Sequence, residues 1–307
     1  MPIAQRLCGS LLCTQNDLGI TGKAKTLRKV AFITGATRGI GKACALRLAR
    51  EGWDIVVAAR SVAEDPRLPG TIHTAADEIR QYGTDVLPVP CNVRDAEQIQ
   101  RAVDATLGRF GRVDAVINNA GALWWRTMDQ TPISRYDLVM GVNARGTYAV
   151  TEAFLPAMKK QRDGHVVAMS PPIDVSMAPG QIAYMLSKFG MTLIALGLAE
   201  EMREYNIRGT ALWPKTIIES YATINFGMGG PELWRKADIV ADALWEILQH
   251  PEQSNGRALI DEDFLREVGY SDFGRYACVE GTDPLPLSAE VMAAARAIMS
   301  ARERPAP

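Results

Sequence analysis

Cysteine and histidine are both scarce in this sequence, and neither forms a recognisable ligand pattern. The 307 residues include five cysteines, an odd number without a CxxC pair, and three scattered histidines. We therefore expect neither a disulfide framework nor a bound metal ion. Unpaired cysteines are typical of proteins from reducing compartments, which predicts a cytoplasmic location.

Long apolar runs and an imbalance of charge are also missing. Every hydrophobic stretch is interrupted by a charge or a glycine before it reaches the roughly 18 residues that a membrane helix needs. The formal net charge is −1, and no block of lysines and arginines could follow a phosphate backbone. We expect a soluble protein that binds neither a membrane nor a nucleic acid.

From Lys29 onward, short β-branched runs alternate with helical patterns, as they do in repeated βαβ units. This pattern predicts the α/β class: a single Rossmann-type, doubly wound domain with a seven-stranded parallel sheet flanked by helices. The predicted strands are Val30–Thr34, Asp54–Ala59, Asp85–Pro90, Val113–Asn118, His165–Ser170, Ile207–Leu212 and Arg257–Ile260.

Apolar residues at spacings of three and four predict the helices between these strands. We assign residues 30–262 to one catalytic domain, residues 1–29 to an N-terminal extension and residues 263–307 to a tail with a helix near Leu287–Ala301. Asp261, Glu262 and Asp263 are expected to form a solvated loop. The predicted helices are Gly39–Glu51, Ala75–Tyr82, Ala96–Phe110, Ser134–Gln161, Ala183–Tyr205 and Leu233–Gln249.

A glycine-rich segment, TGATRGIG at positions 34–41, follows the first strand and opens the first helix. That is the context in which such a loop binds a dinucleotide. Gly35 permits the tight turn, Gly39 lets the backbone approach a pyrophosphate, and Gly41 allows close packing of the helix. The N-terminus of the helix supplies free N–H groups to the phosphates.

The end of the second strand indicates which dinucleotide binds. Sites for NAD place a carboxylate there for the ribose hydroxyl, whereas this chain has Arg60, and Arg38 lies within the glycine loop. Guanidinium groups bind phosphate in a bidentate manner. We therefore predict that NADP(H) is preferred, with two solvated arginines as the alternative interpretation.

Tyr184 and Lys188 are four residues apart at the start of a predicted helix, so their side chains share one face. A phenol has an ordinary pKa near 10, and a neighbouring ammonium favours its ionised form. The pair therefore indicates a tyrosine that gives and takes a proton.

These motifs resemble the short-chain dehydrogenase/reductase family: the glycine loop, NNAG at 118–121, Asn143 and YMLSK at 184–188 occur in its order and spacing. The likeness covers roughly Arg28–Asp261. Within the family, the chain is most similar to the hydroxysteroid dehydrogenase-like 2 group, through GTIHTAADEIR at 70–80, MSPP at 169–172, WPKT at 213–216 and LIDED at 259–263. That group also carries a proline-rich insertion after the second strand. Its members often add a sterol-carrier domain, which we do not expect here.

The resemblance implies roles for matching positions. Asn143, Ser170, Tyr184 and Lys188 are the candidate catalytic residues, and Asn143 is expected to bend its helix and to hold a water through its carbonyl. Lys188 is also expected to hold the nicotinamide ribose. The candidate cofactor-binding residues are Gly35, Thr37, Arg38, Gly39, Ile40, Gly41, Arg60, Asn92, Val93, Asn119, Ala120, Gly121, Tyr184, Lys188, Pro214 and Ile217.

One family position departs from the pattern. The serine that polarises the substrate carbonyl stands 13 residues before the tyrosine in the family, and this chain has Pro171 there. Proline cannot donate a hydrogen bond. The neighbouring Ser170 either turns its hydroxyl into the site or merely ends the strand, and both alternatives stay open at this point.

The resemblance implies an NADP(H)-dependent oxidoreductase that transfers a hydride between nicotinamide and a hydrophobic carbonyl or secondary alcohol. Aromatic residues in loops after the strands favour an apolar substrate: Trp124, Trp125, Trp213, Phe226 and Trp234. A non-catalytic NADP(H)-binding sensor or scaffold protein is the alternative, which the missing serine supports. A homodimer or homotetramer is expected in either case.

Overall fold

The structure, a computed structural model, describes residues 28–66 and 68–294, apart from the side chain of Phe226. Most of the expected N-terminal extension and the last residues of the tail lie outside this range. The strands are β1 Val30–Thr34, β2 Asp54–Ala59, β3 Val86–Pro90, β4 Ala115–Asn118, β5 Gly164–Met169, β6 Ile207–Trp213, β7 Ile217–Ile218, β8 Trp234–Arg235 and β9 Ala258–Ile260. The helices are α1 Gly39–Arg50, α2 Ile72–Arg80, α3 Ala96–Phe110, α4 Ile133–Val142, α5 Ala144–Gln161, α6 Ile182–Glu201, α7 Tyr221–Phe226, α8 Asp238–Gln249, α9 Pro251–Ser254 and α10 Asp261–Glu267.

Seven strands form one parallel sheet in the order β3-β2-β1-β4-β5-β6-β9. The predicted fold class and all seven predicted strands are confirmed. The order reverses between β1 and β4, and a crevice opens at such a switch point outside the carboxyl ends of the strands. The loops that carry the predicted motifs meet at this edge.

Both faces of the sheet are covered, which is why its strands are continuous apolar runs. All the residues of β1, β2, β4 and β5 are buried. On one face Phe32 packs against Phe154 of α5, with ring centroids 4.7 Å apart. On the other face α1, α2, α8 and α10 enclose a second apolar core.

The predicted helix Ser134–Gln161 is broken into α4 and α5. Asn143, at the junction, has a ψ of −71°, and neither helix includes it. This break agrees with the bend expected at Asn143. The two-residue strands β7 and β8, which pair with each other, were not predicted because they are too short to show a period.

The solvated loop expected at Asp261–Asp263 is wrong. These residues begin α10, and Asp261 and Glu262 are 1% and 5% exposed. Burial of Glu262 is possible because Arg235 and Lys215 both pair with it. Asp261 Oδ1 instead accepts the backbone N–H groups of Lys215 and Glu262. Phe264 and the later Tyr276 lie in the main core, so a domain boundary at residue 262 is too early.

Helix α6 is 20 residues long and apolar enough, by length and composition, to cross a membrane. It packs against β6, α4 and α5 within this domain. More than half of its apolar window is buried inside the protein, so we describe it as a core helix. Near the end of the described chain, residues 289–294 are helical, in agreement with the helix predicted for the tail.

Candidate active site

The glycine loop after β1 makes a tight turn onto α1. Gly35 has a φ of +68°, a left-handed conformation that favours glycine. A Cβ on Gly41 would lie 2.4 Å from Nδ2 of Asn119 and 2.5 Å from the carbonyl oxygen of Gly35. Gly41 therefore lets the helix begin against the loop after β4, which is the packing role that the sequence predicts for it.

A cleft of about 840 Å³ runs along the carboxyl edge of the sheet. Two of the candidate cofactor-binding residues do not line it: Gly41 lies behind the loop, and Ile217 is buried in β7 against an apolar cluster. The role of Ile217 in cofactor binding therefore stays a prediction. The candidates that line the cleft are Gly35, Thr37, Arg38, Gly39, Ile40, Arg60, Asn92, Val93, Asn119, Ala120, Gly121, Tyr184, Lys188 and Pro214.

Arginine side chains mark one end of the cleft. Arg38 reaches from the start of α1 to the loop after β2, where its Nη2 donates to Ser61 Oγ at 2.7 Å and to the carbonyl of Gly70 at 3.1 Å. Its Nε is buried without a hydrogen-bond partner. Arg60 is exposed beside it, and the described residues that line the cleft include no aspartate or glutamate. This end therefore suits an anionic group such as a phosphate.

Tyr184 and Lys188 lie at the other end of the cleft, one turn apart on α6. Both are largely buried, at 7% and 5% exposure. Lys188 Nζ donates to the carbonyl oxygen of Met169 at 2.7 Å. The same nitrogen is 5.9 Å from the ring centroid of Tyr184 and 5.4 Å from that of Trp213. The expected juxtaposition of a cation and a phenol is therefore present.

Burial dominates the electrostatics of this pair. It raises the pKa of Tyr184 above its ordinary value and lowers the pKa of Lys188 to about 7. The sequence predicted the opposite direction for the tyrosine, because it weighed the neighbouring charge and could not weigh desolvation. Lys188 consequently changes its charge near neutral pH.

Asn143 fastens the loop after β4 to α6. Its Oδ1 accepts the N–H of Ala122 at 2.7 Å, and its Nδ2 donates to the carbonyl of the same residue at 3.0 Å and to Ser187 Oγ at 2.9 Å. Its own carbonyl accepts the N–H of Thr147 at 3.1 Å. Asn143 is completely buried and does not line the cleft, and its side chain holds this loop against α6.

Ser170 does not turn into the site. Its hydroxyl accepts a hydrogen bond from Thr192 Oγ1 at 3.0 Å, and it lies outside the set of residues that line the cleft. The alternation of side chains along β5 explains this direction, since a neighbour of an inward-facing position faces away. Pro171, the residue at the family position, is buried and has no N–H to donate.

An apolar cluster surrounds Tyr184 on the side away from the arginines. Its buried members are Trp125, Tyr184, Met185, Ile217, Met228, Trp234 and Met292. Trp213 packs partly against this cluster. Trp124 instead lies under the guanidinium of Arg135, 4.7 Å from its ring centroid. The predicted aromatic residues therefore divide between the site and the surface, and the side chain of Phe226 lies outside the described residues.

Sequence reasoning missed several residues of the cleft. Ser61 directly follows Arg60, and its hydroxyl is a second donor beside the arginines. Its position at the strand end is a signal that could have identified it. The start of helix α7 also lines the cleft. Its capping box of Ser220 and Thr223 is visible in the sequence as a spacing of three residues and could have identified this helix. The other missed lining residues include Cys91, Leu123, Met169, Ser220, Tyr221 and Asn225.

The sequence profile of the short chain dehydrogenase family matches residues 29–223. This chain belongs to that family. Its members are oxidoreductases that use a nicotinamide cofactor. The matched range includes the glycine loop, Asn143, Tyr184 and Lys188, so the geometry described above lies within it.

Several proteins are similar to the chain beyond the family profile. Hydroxysteroid dehydrogenase-like protein 2 of Rattus norvegicus is 43% identical over 258 residues, which are 83% of this chain and 49% of the relative. The chain thus spans about half the length of that relative. A short chain dehydrogenase from Mycobacterium thermoresistibile has a TM-score of 0.80 with 38% identity, over 85% of this chain and 95% of that one. A metagenomic short-chain oxidoreductase, solved in complex with NADP, has a TM-score of 0.63 with 26% identity, over 76% of this chain and 96% of that one.

Proposed function

We propose that the protein is an NADP(H)-dependent oxidoreductase acting on CH–OH groups, which transfers a hydride between nicotinamide and a hydrophobic carbonyl or secondary alcohol. The observation that carries the proposal is the layout of the cleft. Arg38 and Arg60 lie at one end, and Tyr184 and Lys188 lie at the other. A dinucleotide is long enough to join an anion site to a proton-transfer site, and the glycine loop between them supplies backbone N–H groups.

Four observations favour NADP(H) over NAD(H). The 2′-phosphate distinguishes the two cofactors, and Arg38, Arg60 and Ser61 offer it donors. A carboxylate that would bind a ribose hydroxyl is absent from the described lining of the cleft. The unpartnered Nε of Arg38 is a further donor at this end. The solved metagenomic relative in complex with NADP agrees with this preference.

The bound cofactor supplies or accepts the hydride, and the protein manages the proton. Tyr184 donates its phenolic proton to the substrate oxygen in reduction and accepts it in oxidation. Lys188, with a pKa that burial lowers to about 7, adjoins the phenol and carries positive charge when it is protonated. That charge stabilises phenolate after the proton has left. Asn143 fixes the loop above this pair through its bonds to Ala122.

The surroundings of Tyr184 favour an apolar substrate. Trp125, Met228 and Met292 are buried in the same cluster as the tyrosine. Methionine side chains are flexible enough to repack around a hydrophobic molecule. A charged substrate would have to be desolvated here, and the cluster offers it no described counter-charge.

A non-catalytic NADP(H)-binding sensor or scaffold protein is the second candidate. The observation in its favour is Pro171, because that position lacks the hydroxyl that polarises a carbonyl in the family. The buried Tyr184 and Lys188 argue against it, because a sensor does not need an ionisable pair in its cleft, and burying a lysine is costly.

We also propose a cytoplasmic homodimer or homotetramer. Helices α5 and α6 carry large apolar side chains in solvent: Tyr148 is 63% exposed and Leu193 is 60% exposed. Exposed apolar positions on neighbouring helices are typical of a face that pairs with a second copy. Sedimentation velocity of the wild-type protein and of Leu193→Glu tests this part of the proposal.

The decisive experiment is NADPH oxidation with a panel of hydrophobic aldehydes and ketones, for the wild-type protein and for Tyr184→Phe. We expect wild-type turnover of at least one compound, and loss of turnover in the variant with nearly unchanged affinity for NADPH. Tyr82→Phe is the matched control, because this tyrosine is 42% exposed and remote from the cleft. Tight NADPH binding without turnover of any compound would favour the sensor.

A further inference from the structure

The site needs a hydrogen-bond donor to the substrate oxygen besides Tyr184, and neither residue at the expected position supplies one. Pro171 has no N–H, and the hydroxyl of Ser170 is turned to Thr192. Stabilising the charge that develops on a carbonyl oxygen is usually a large part of catalysis. A donor is therefore to be sought on another element that contacts the tyrosine.

The indole N–H of Trp125 is such a donor. Trp125 lies in the loop after β4, and its ring is edge-on to that of Tyr184, with ring centroids 6.1 Å apart and an interplanar angle of 66°. Trp125 is 8% exposed, and its Nε1 is buried without a hydrogen-bond partner. Trp234, in the same cluster, differs in this respect, because its Nε1 donates to the carbonyl of Met228 at 2.7 Å.

Few other polar atoms in the described chain share this condition. One of them, Gln181 Oε1, lies one helical turn before Tyr184, but an amide oxygen only accepts hydrogen bonds and cannot polarise a carbonyl. The rest of the set, Arg38 Nε, Thr84 Oγ1, Arg235 Nε and Asp261 Oδ2, belongs to residues outside the cluster around the tyrosine. Among the described residues, Trp125 Nε1 is thus the unpartnered side-chain donor whose ring contacts that of the proposed proton donor.

An unpartnered buried N–H is costly, by roughly 1–3 kcal/mol, and such groups are rare in folded proteins. Asn143 helps to hold the loop through both polar groups of Ala122, three residues before the indole. The carbonyl of Trp125 itself accepts Arg126 Nη1 at 2.7 Å. A donor that is fixed in place before the substrate arrives is suited to stabilising the charge on a reacting oxygen.

We infer that the indole N–H of Trp125 donates a hydrogen bond to the substrate's carbonyl or hydroxyl oxygen, in the role that Pro171 cannot fill. This inference rests on the proposed function, since it assigns a second donor to the same reaction. Tyr184 transfers the proton, and Trp125 orients and polarises the oxygen without giving up its own proton. Trp125 lies outside the set of residues that line the cleft, so this role requires the flexible Met228 and Met292 of the same cluster to move aside when an apolar molecule enters.

Two matched variants test this role. Trp125→Phe and Trp234→Phe remove the same atoms from the same cluster, but only Trp234 loses an existing hydrogen bond. We expect Trp125→Phe to lower kcat about 100-fold, as removal of one oxyanion donor does, with the affinity for NADPH unchanged. Trp234→Phe should lower the midpoint of unfolding more and kcat less. If Trp125 had only a structural role, Trp125→Phe would not have the larger effect on kcat while Trp234→Phe has the larger effect on the midpoint of unfolding.

A binding measurement separates the inference from the proposed function. The indole N–H signals of ¹⁵N-tryptophan-labelled protein are recorded with saturating NADP⁺ while 2-octanone, which cannot be reduced in that complex, is added. The signal that is missing in Trp125→Phe should move downfield, and the one missing in Trp234→Phe should stay.

The outcomes differ for the two ideas. A downfield shift of the Trp125 signal without turnover of any ketone would support the donor and refute the oxidoreductase. Wild-type turnover retained within about twofold in Trp125→Phe would refute the donor and leave the oxidoreductase intact. An unmoved Trp125 signal at saturating ketone would also overturn the inference.

Discussion

Lys188 carries a charge that its surroundings oppose, and we expect its removal to stabilise the protein. Burial lowers the pKa of Lys188 from 10.5 to about 7. That difference corresponds to at most roughly 5 kcal/mol against the charged form, at about 1.4 kcal/mol for each pH unit. The hydrogen bond from Nζ to the carbonyl of Met169, at 2.7 Å, offsets part of this cost.

The pH at which removing the lysine stabilises the protein most follows from the two pKa values of Lys188, folded and unfolded. Unfolded lysine keeps its proton up to its ordinary pKa of 10.5, whereas folded Lys188 releases it near pH 7. Between these values the unfolded state binds more protons, so the contribution of Lys188 to stability rises with pH in this window. Below about pH 7 both states are charged and the full cost remains. The free energy of unfolding of Lys188→Met should therefore exceed that of the wild type by roughly 2–5 kcal/mol near pH 6, and this difference should shrink toward pH 10.

Urea unfolding at about pH 6, 7.5 and 9 measures this difference directly. The control is Lys160→Met, at the exposed end of α5, for which we expect no pH-dependent gain. The same Lys188→Met protein should have lost turnover. A variant that is less stable than the wild type near pH 6, or a gain that does not change with pH, would refute the reasoning from burial.

Three further predictions concern the cleft. Arg60→Asp should weaken NADPH binding by roughly 10- to 100-fold and NADH binding little, as titration of both cofactors would show, while the exposed Arg101→Asp should change neither. If Arg60→Asp kept the full preference for NADPH over NADH, Arg60 would not determine the choice of cofactor. Ser170→Ala should keep kcat within a few-fold and cost about 1 kcal/mol in unfolding, since its hydroxyl faces away from the cleft; a loss approaching that of Tyr184→Phe would contradict this. Gly41→Ala should cost roughly 1–3 kcal/mol and weaken NADPH binding, because its Cβ would meet a backbone oxygen at 2.5 Å; unchanged thermal unfolding would show that the loop yields.

The sheet and the glycine loop could be predicted because their signals are local. Each parallel strand is buried on both faces and therefore reads as an apolar run, and the spacing of Gly35 and Gly41 follows from the turn and the helix packing alone. The pair Tyr184 and Lys188 was likewise visible, since the period of a helix places residues four apart on one face.

The direction and environment of single side chains could not be predicted in the same way. The direction of the Ser170 hydroxyl depends on its hydrogen bond with Thr192, which lies 22 residues later. The pKa of Tyr184 depends on how completely the loops of several strands cover it. The acidic run at Asp261 looked solvated because nothing nearby in sequence indicates its partner Arg235. Such features arise from tertiary packing, which a local pattern does not contain.

The buried acidic residues also explain why two motifs far apart in sequence belong together. The N–H of Lys215, in WPKT, donates to Asp261 Oδ1 at 2.9 Å, and its Nζ pairs with Glu262 at 3.2 Å and with Asp263 at 2.8 Å. Burial opposes the charge on Glu262, but hydrogen bonds from Arg235, Arg266 and Lys215 outweigh it and lower the pKa of Glu262 to about 2.

Lys215 also holds one wall of the cleft in position. Trp213 and Pro214, which immediately precede it, line the cleft beside Lys188. The carbonyl of Lys215 accepts the N–H of Leu287 at 2.7 Å, so the C-terminal segment is tied to the same point. Because a wall segment free to shift by even 1 Å would misplace the reacting groups, residues that never touch the substrate hold the geometry that the chemistry needs.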